Sequence, residues 1–236
     1  MKTMTYTKGK NRFLSGLTFL SYSLEAFGVI GFEFLLAYAI EFNVYGYDFG
    51  SFNMWQSILH WTMTMIVWIL GGLYVIKECA RKFGVDFVKN CREKSFISGA
   101  KELSFGRWIL LISGTVISLI ASWIDWDGSK VLREFRSRGI ILFTFQYLYY
   151  FVEVFLVLLV IVFGQYAFEK WFKNDKIPYG GIVVALTWGL GHWITKGSLA
   201  TGIYIAIEGF VFGGAYLLTE RNLKLSYLFL CIMFIL

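Results

Sequence analysis

The chain contains few of the residues on which soluble domains rely. Of its 236 residues only 16% are charged, one is a proline, two are histidines and three are cysteines, whereas 57% are hydrophobic. A soluble domain of this length could not cover so much apolar surface with so few charges. The composition therefore excludes an ordinary soluble domain, and the cysteines do not suggest a disulfide framework. They are Cys79, Cys91 and Cys231.

Signatures of several soluble enzyme classes are also missing. The sequence has no H-E-x-x-H zinc motif, no C-x-x-C pair, no Walker phosphate loop and no G-x-S-x-G nucleophile elbow. A zinc site would require both His60 and His192 together with carboxylates, and their spacing does not support one. We therefore assign no metal and no cofactor from the sequence, although a divalent metal stays open in principle.

Long apolar stretches separate the few charges. A helix needs about 20 apolar residues to cross a hydrocarbon core of about 30 Å, and stretches of this kind recur along the chain. We predict an all-α, polytopic transmembrane helical bundle that forms a single domain over residues 1–236. The last of its predicted spans is short for a complete crossing. The seven predicted spans are 15–40, 54–76, 107–124, 139–168, 179–195, 198–218 and 223–236.

The distribution of lysine and arginine predicts the orientation in the membrane. Residues 1–13 form a basic tail without acidic residues, and the connection 77–106 is also rich in basic residues. The loop after the first span has no basic residue and includes Asp48. We therefore expect a multi-pass protein of the cell membrane whose N-terminus and 77–106 connection are cytoplasmic. The basic residues of the tail are Lys2, Lys8, Lys10 and Arg12.

This topology accounts for most of the net charge of +6. Basic segments next to spans are attracted to anionic lipid, so the bilayer is the expected partner and no nucleic-acid partner is expected. Part of the 77–106 connection fits an amphipathic helix on the inner membrane surface, and a solvated basic loop fits it equally well.

Glu153, His192 and Glu208 each lie inside a different predicted span of the C-terminal half. A charged side chain at bilayer depth costs roughly 2.5–3.5 kcal/mol on insertion scales, so it persists mainly where a partner, a cavity or a chemical role compensates for that cost. These residues are the candidates for a functional site.

Glu153 has polar neighbours on one face of its predicted helix. Gln146, Tyr149 and Tyr150 precede it by seven, four and three residues, which is the spacing of a single helical face. They could donate hydrogen bonds to a buried carboxyl group. Two interpretations stay open: Glu153 is a general acid or base, or it is a neutral side chain hydrogen-bonded to tyrosines or to a neighbouring helix.

His192 follows Trp188 by four residues, so the two share a helical face. Gly189 and Gly191 lie between them and predict close approach of another helix. Alternatively, His192 anchors the helix at the membrane interface. We interpret His60, which lies beside tryptophans near the start of the second span, as an interfacial residue of that kind.

The sixth predicted span contains a G-x-x-x-G pattern formed by Gly209 and Gly213. The pattern favours tight packing of one helix on another, and in a polytopic protein that packing is most often intramolecular. Glu208 lies next to this face, and we expect it to reach a partner on the fourth or fifth span.

Residues 139–236 resemble the CPBP family of intramembrane proteases, which comprises CAAX proteases and bacteriocin-processing enzymes and is also called ABI. The family has E-E-x-x-x-R, F-x-x-x-H and H-x-x-x-N motifs in this order. The segment Trp188–His192 is similar to the second motif, with Trp in place of Phe, and Glu153 is similar to one acid of the first. The resemblance implies the CPBP fold, with Glu153 and His192 as catalytic residues that activate water. The supporting pocket is expected to contain Trp188, Glu208, Tyr149, Tyr150 and Gln146.

The chain also departs from the family motifs. Val152 and Val154 flank Glu153, so the paired glutamate is absent, and the last predicted span has no histidine. We therefore expect a degenerate CPBP relative with weak or no proteolytic activity. The first alternative is a non-catalytic binding, immunity or scaffold protein that holds a peptide or a membrane-protein partner. The second is a subunit of a small-molecule or proton-coupled transporter, in which the buried ionisable residues form a path.

Overall fold

The computed structural model describes residues 12–46, 52–84 and 95–236, and every regular element in these ranges is helical. This confirms the predicted all-α class. Two short π-helical segments interrupt the α-helices. The elements are α1 (Arg12–Leu35), a first π-helical segment (Leu36–Phe42), α2 (Met54–Phe83), α3 (Phe96–Glu102), α4 (Phe105–Asp125), α5 (Lys130–Phe172), α6 (Tyr179–Val184), a second π-helical segment (Ala185–Gly189), α7 (Leu190–Lys196), α8 (Leu199–Leu218) and α9 (Leu223–Ile235).

Five helical stretches in the described residues are long and apolar enough to cross a membrane. They support a membrane-embedded protein, and they correspond to five of the seven predicted spans. The predicted span 179–195 is divided into three short helical pieces, and α9 has only 13 residues. The count of seven spans therefore stays a prediction. The five stretches are Arg12–Phe42, Met54–Phe83, Phe105–Asp125, Lys130–Phe172 and Leu199–Leu218.

Several sequence features used in the predictions lie outside the described residues. These are most of the basic tail 1–13, Asp48 and residues 85–94 of the basic connection 77–106, including Cys91. Of that connection, the structure describes the end of α2 and the whole of α3, which is seven residues long.

Polar side chains cap the N-termini of α2 and α5, two helices that carry residues of the candidate site. Asn53 and Gln56 form a reciprocal capping box at the start of α2, in which each side chain accepts from the backbone N–H of the other. The Ser129 hydroxyl accepts from the N–H of Leu132 at the start of α5. Within α5, Gly139 adopts φ 69°, a conformation that L residues rarely adopt, and it divides a short first segment from the long remainder.

Helix α5 is the centre of the bundle. Its middle portion is apolar on all sides, and Leu156, Val160, Ile161, Val162 and Phe163 are fully buried there. A helix that is apolar all round is suited either to the interior of a protein or to the interior of a bilayer. Helices α1, α2, α6 and α9 pack around α5. Tyr149 and Glu153 thus lie on the helix that the other elements surround.

Glycines allow α8 to approach the broken segment 179–196 closely. A Cβ atom at Gly213 would collide with the backbone of Gly181, and one at Gly189 would lie 2.5 Å from the Cα of Ala206. The predicted intramolecular packing of the G-x-x-x-G face is therefore confirmed. Gly191 has no neighbour within 4 Å of its Cβ position, so the prediction of close helix approach was wrong for this residue.

Candidate functional site

Glu153 and His192 are joined through Trp188. The indole Nε1 of Trp188 donates to Oε1 of Glu153 at 2.9 Å, and Nδ1 of His192 lies 2.7 Å from the backbone oxygen of Trp188. The indole and imidazole rings meet edge to face with their centroids 4.7 Å apart. Glu153 and Trp188 are buried and His192 is half-buried. The structure thus brings these three predicted site residues together.

The bond to the backbone determines which nitrogen of His192 accepts a proton. A carbonyl oxygen can only accept, so Nδ1 donates and carries the hydrogen. In a neutral imidazole the other nitrogen, Nε2, is then the acceptor. The site therefore combines a carboxylate and a basic nitrogen, both of which can accept a hydrogen bond from a ligand or from water.

The predicted donors on α5 bond to carboxylates other than Glu153. The Tyr149 hydroxyl donates to Oε2 of Glu33 at 2.8 Å, and both Tyr150 and Gln146 donate to Oε1 of Glu134 at 2.8 Å. The prediction that these three side chains donate hydrogen bonds to Glu153 was wrong. Side chains on a helix point back toward its N-terminus, so donors that precede Glu153 reach away from it.

Lys130 is a buried cation beside the same site. Its Nζ donates to the backbone oxygen of Phe234 at 2.9 Å and lies 4.7 Å from the centroid of the Tyr150 ring. It is 8% exposed and within electrostatic range of Glu153. The Phe234 ring also packs against Trp188, with centroids 5.6 Å apart. Lys130 lies between the predicted spans 107–124 and 139–168, and no sequence pattern indicated its position beside this site.

A second ionisable cluster lies between α1 and α2. Nδ1 of His60 lies 2.8 Å from Oε2 of Glu41, and Nε2 lies 3.2 Å from Oε1 of Glu33. His60 is 4% exposed and Glu41 is 1% exposed, so the interpretation of His60 as an interfacial residue was wrong. We call these three residues the N-terminal cluster, and Glu153, Trp188 and His192 the C-terminal site.

Helical spacing could have placed His60 in the interior. Thr64 and Trp68 follow it at intervals of four residues, and both are fully buried, whereas the neighbouring Trp55 is 71% exposed. Residues spaced by four share a helical face, whereas Trp55 precedes His60 by five residues and lies on a different face. The exposed tryptophan was therefore a misleading guide to the position of His60.

The first π-helical segment helps to place Glu41. It covers Leu36–Phe42 at the end of the first spanning stretch. A π-helical turn contains more residues than an α-helical turn and changes the direction in which later side chains point. Glu41 points into the bundle, while the adjacent Phe42 is half exposed. Glu33 and Glu41 thus contact the same imidazole although they lie on successive parts of the chain.

Glu33 connects the N-terminal cluster to the C-terminal site. It contacts His60, accepts from Tyr149 and lies within electrostatic range of both Glu153 and His192. Two glutamates and two histidines from four separate elements are thereby gathered near the middle of α5. Among the described residues, no group of three His, Cys, Asp or Glu side chains has a geometry that could hold a metal ion.

Glu208 does not join this arrangement. Its Oε2 accepts from the hydroxyl of Ser118 on α4 at 2.9 Å. The expectation that it reaches the fourth or fifth span was wrong. Gly209 and Gly213 turn toward the segment 179–189, and one position earlier on a helix lies about 100° around the axis, toward α4.

Comparison with known proteins does not assign the chain to a group: no protein-family model, no curated protein and no solved structure matches it. The residues around Glu153 and Glu33 are therefore the basis on which a function can be inferred.

Proposed function

We propose that this protein is a membrane-embedded relative of the CPBP peptidases, with a cytoplasmic N-terminus, that binds a peptide or a segment of a membrane protein at the C-terminal site. We propose weak or no hydrolysis of the bound chain. The observation that carries the proposal is the link from Glu153 through Trp188 to His192, because the CPBP resemblance predicts this glutamate and this histidine in one site.

The groups at the C-terminal site suit a peptide ligand inside a bilayer. A peptide that enters hydrocarbon needs a partner for each exposed N–H group, because no water is present to supply one. Glu153 and Nε2 of His192 are acceptors, and the rings of Trp188 and Phe234 provide apolar surface beside them. A few polar groups within an apolar lining are typical of ligand sites.

The same contacts argue against efficient hydrolysis. A general base has to hold the proton-accepting atom within hydrogen-bond reach of the attacking water. Oε1 of Glu153 already accepts from the Trp188 indole, and valines occupy the positions on either side of Glu153. One carboxylate oxygen remains for water, without the adjacent second glutamate of the family motif.

Binding and cleavage can be measured in one experiment on the full chain in lipid nanodiscs. The probes are a fluorescent prenylated peptide and a fluorescent bacteriocin-type leader peptide, with Kd from anisotropy and products from mass spectrometry. We expect binding of at least one probe and a loss of about 10–100-fold in affinity for Glu153→Gln and His192→Gln, which corresponds to a hydrogen bond to a charged or strongly polar group.

Glu208→Gln is the control, since it makes the same substitution at a half-buried glutamate of the α4–α8 interface, away from the C-terminal site. It should bind as the wild type does. Wild-type affinity in both site variants, or no binding of either probe, would overturn the proposal. Rapid cleavage that both site variants abolish would replace weak hydrolysis with a fully active peptidase.

A further inference from the structure

The hydrogen bonds of the N-terminal cluster require more protons than its usual charge states supply. Both ring nitrogens of His60 face carboxylate oxygens, Nδ1 toward Glu41 and Nε2 toward Glu33. Each N···O hydrogen bond contains one hydrogen, so the two bonds need two. A neutral imidazole carries one N–H, and ionised carboxylates carry none. The cluster therefore has to bind one further proton for both bonds to exist.

The described neighbours of the cluster do not place a hydrogen between either ring nitrogen of His60 and the carboxylate oxygen that it faces. The Tyr149 hydroxyl donates to Oε2 of Glu33, which is the oxygen that does not face His60. The Phe52 ring lies 5.6 Å from the imidazole and has no donor. Arg138, on α5, lies over the Trp61 ring, 5.6 Å from its centroid. Within the part of the chain that the structure describes, the ion pairs of both glutamates are with His60.

We infer that Glu33, Glu41 and His60 form a proton-binding site inside the bundle, coupled to Glu153 across α5. The site goes beyond the proposed peptide binding and does not depend on it. The bound proton has three possible positions: it completes an imidazolium between two carboxylates, or it lies on Glu41 or Glu33 as a carboxylic acid that donates to a neutral ring. Moving between them breaks an N–H bond and forms an O–H bond, so no other reactant is needed.

Release of this proton changes the site in a defined way. One ring nitrogen then faces a carboxylate without a hydrogen between them, and the cluster carries two negative charges instead of one. Unpaired acceptors and like charges are costly where water is excluded. Proton release therefore weakens a contact that holds the first spanning stretch to α2.

Glu153 senses the same change through Glu33. The two carboxylates lie within electrostatic range of each other, and Tyr149 connects Glu33 to the helix that carries Glu153. A more negative cluster disfavours negative charge on Glu153. Lys130 and Lys196 are basic residues within electrostatic range of Glu153.

The chain has only two histidines, which permits a direct test. The full protein, labelled with ¹⁵N in the histidine rings and ¹³C in the glutamate carboxyls, is studied in nanodiscs by NMR at neutral pH. We expect two exchangeable protons in the His60 cluster, as two ring N–H groups or as one ring N–H with a protonated glutamate. His192 should show one N–H, at Nδ1, and serves as the internal reference. A single ring proton on His60 with both glutamates ionised would overturn the proton site.

Variants test the assignment and the coupling. Glu33→Gln and Glu41→Gln should each reduce the cluster from two protons to one, and an unchanged count of two in both would contradict the inference. Glu153→Gln should shift the pH at which the N-terminal cluster loses its second proton, whereas Glu208→Gln should leave that pH unchanged. Equal behaviour of these two variants would contradict the coupling to Glu153. No peptide is involved, so this test is independent of the binding experiment.

Discussion

The N-terminal cluster and the C-terminal site use the same residue types in different ways. His60 lies between two carboxylates and is almost fully buried, whereas His192 contacts a backbone carbonyl and is half-buried. In the first case both ring nitrogens are used within the protein. In the second, Nε2 is the acceptor nitrogen that a ligand can approach. The surroundings of each histidine thus suit the first to hold helices and a proton, and the second to contact a bound molecule.

The largest difference between the two should appear in stability. His60→Ala leaves the buried Glu41 and the half-buried Glu33 without their shared partner. Removing one member of a buried ionic group typically costs about 3–5 kcal/mol. His192→Ala removes one hydrogen bond at a half-buried position and should cost about 0.5–1.5 kcal/mol. Reversible unfolding in mixed detergent micelles measures both free energies.

A combined variant controls for simple loss of packing at His60. Replacing all three residues of the N-terminal cluster with leucine removes the charges together, and apolar replacement of a whole buried ionic group is often close to neutral. The triple variant should therefore be more stable than His60→Ala. If it is less stable than His60→Ala, the cost comes from shape and not from unpaired charge.

The next prediction concerns a change in packing that should affect the C-terminal site and leave the N-terminal cluster unchanged. Gly189→Leu forces a side chain against the backbone of Ala206, and overpacking of this kind costs about 1–3 kcal/mol. We expect it to displace Trp188 and lower peptide affinity while leaving the NMR signals of His60 unchanged. Gly191→Leu is the matched control, because its Cβ position is open. Equal losses of affinity in the two variants would contradict this packing role.

A smaller change removes a single donor from the C-terminal site. Trp188→Phe keeps an aromatic ring but deletes the Nε1 hydrogen that Glu153 accepts. Loss of a hydrogen bond to a carboxylate costs about 1.5–3 kcal/mol of stability. Without the indole donor, both oxygens of Glu153 can contact water. We expect reduced peptide affinity together with any residual hydrolysis unchanged or increased. A decrease in hydrolysis would show that the indole assists the chemistry, contrary to our interpretation.

One part of the site could be predicted from local spacing in the sequence. Trp188 and His192 are four residues apart, and their shared face follows from helical geometry alone. The meeting of Glu153 with this pair followed from the family resemblance. Glu208 was misplaced because its direction depends on which neighbour the glycine face of α8 contacts, and that is decided by tertiary packing.

The N-terminal cluster was not predicted from the sequence, because two of its features depend on tertiary structure, although one of its residues could have been recognised. Glu33 lies inside the predicted first span, and the criterion applied to the C-terminal half would have identified it there. Its pairing with His60 joins α1 to α2, and no local pattern specifies that contact. The position of Glu41 depends further on the π-helical segment, since an ordinary α-helix would point it in another direction.

The smallest expected effect tests whether the two regions act together. Tyr149→Phe deletes the hydroxyl that donates to Glu33, and because Glu33 is 18% exposed, water can replace part of the lost bond. We expect a cost of about 1 kcal/mol in unfolding free energy. Glu153→Gln should then shift the pH at which the N-terminal cluster loses its second proton less in the Tyr149→Phe background than in the wild type. If the shift is the same in both backgrounds, the coupling passes directly between the carboxylates, and Tyr149 only positions Glu33.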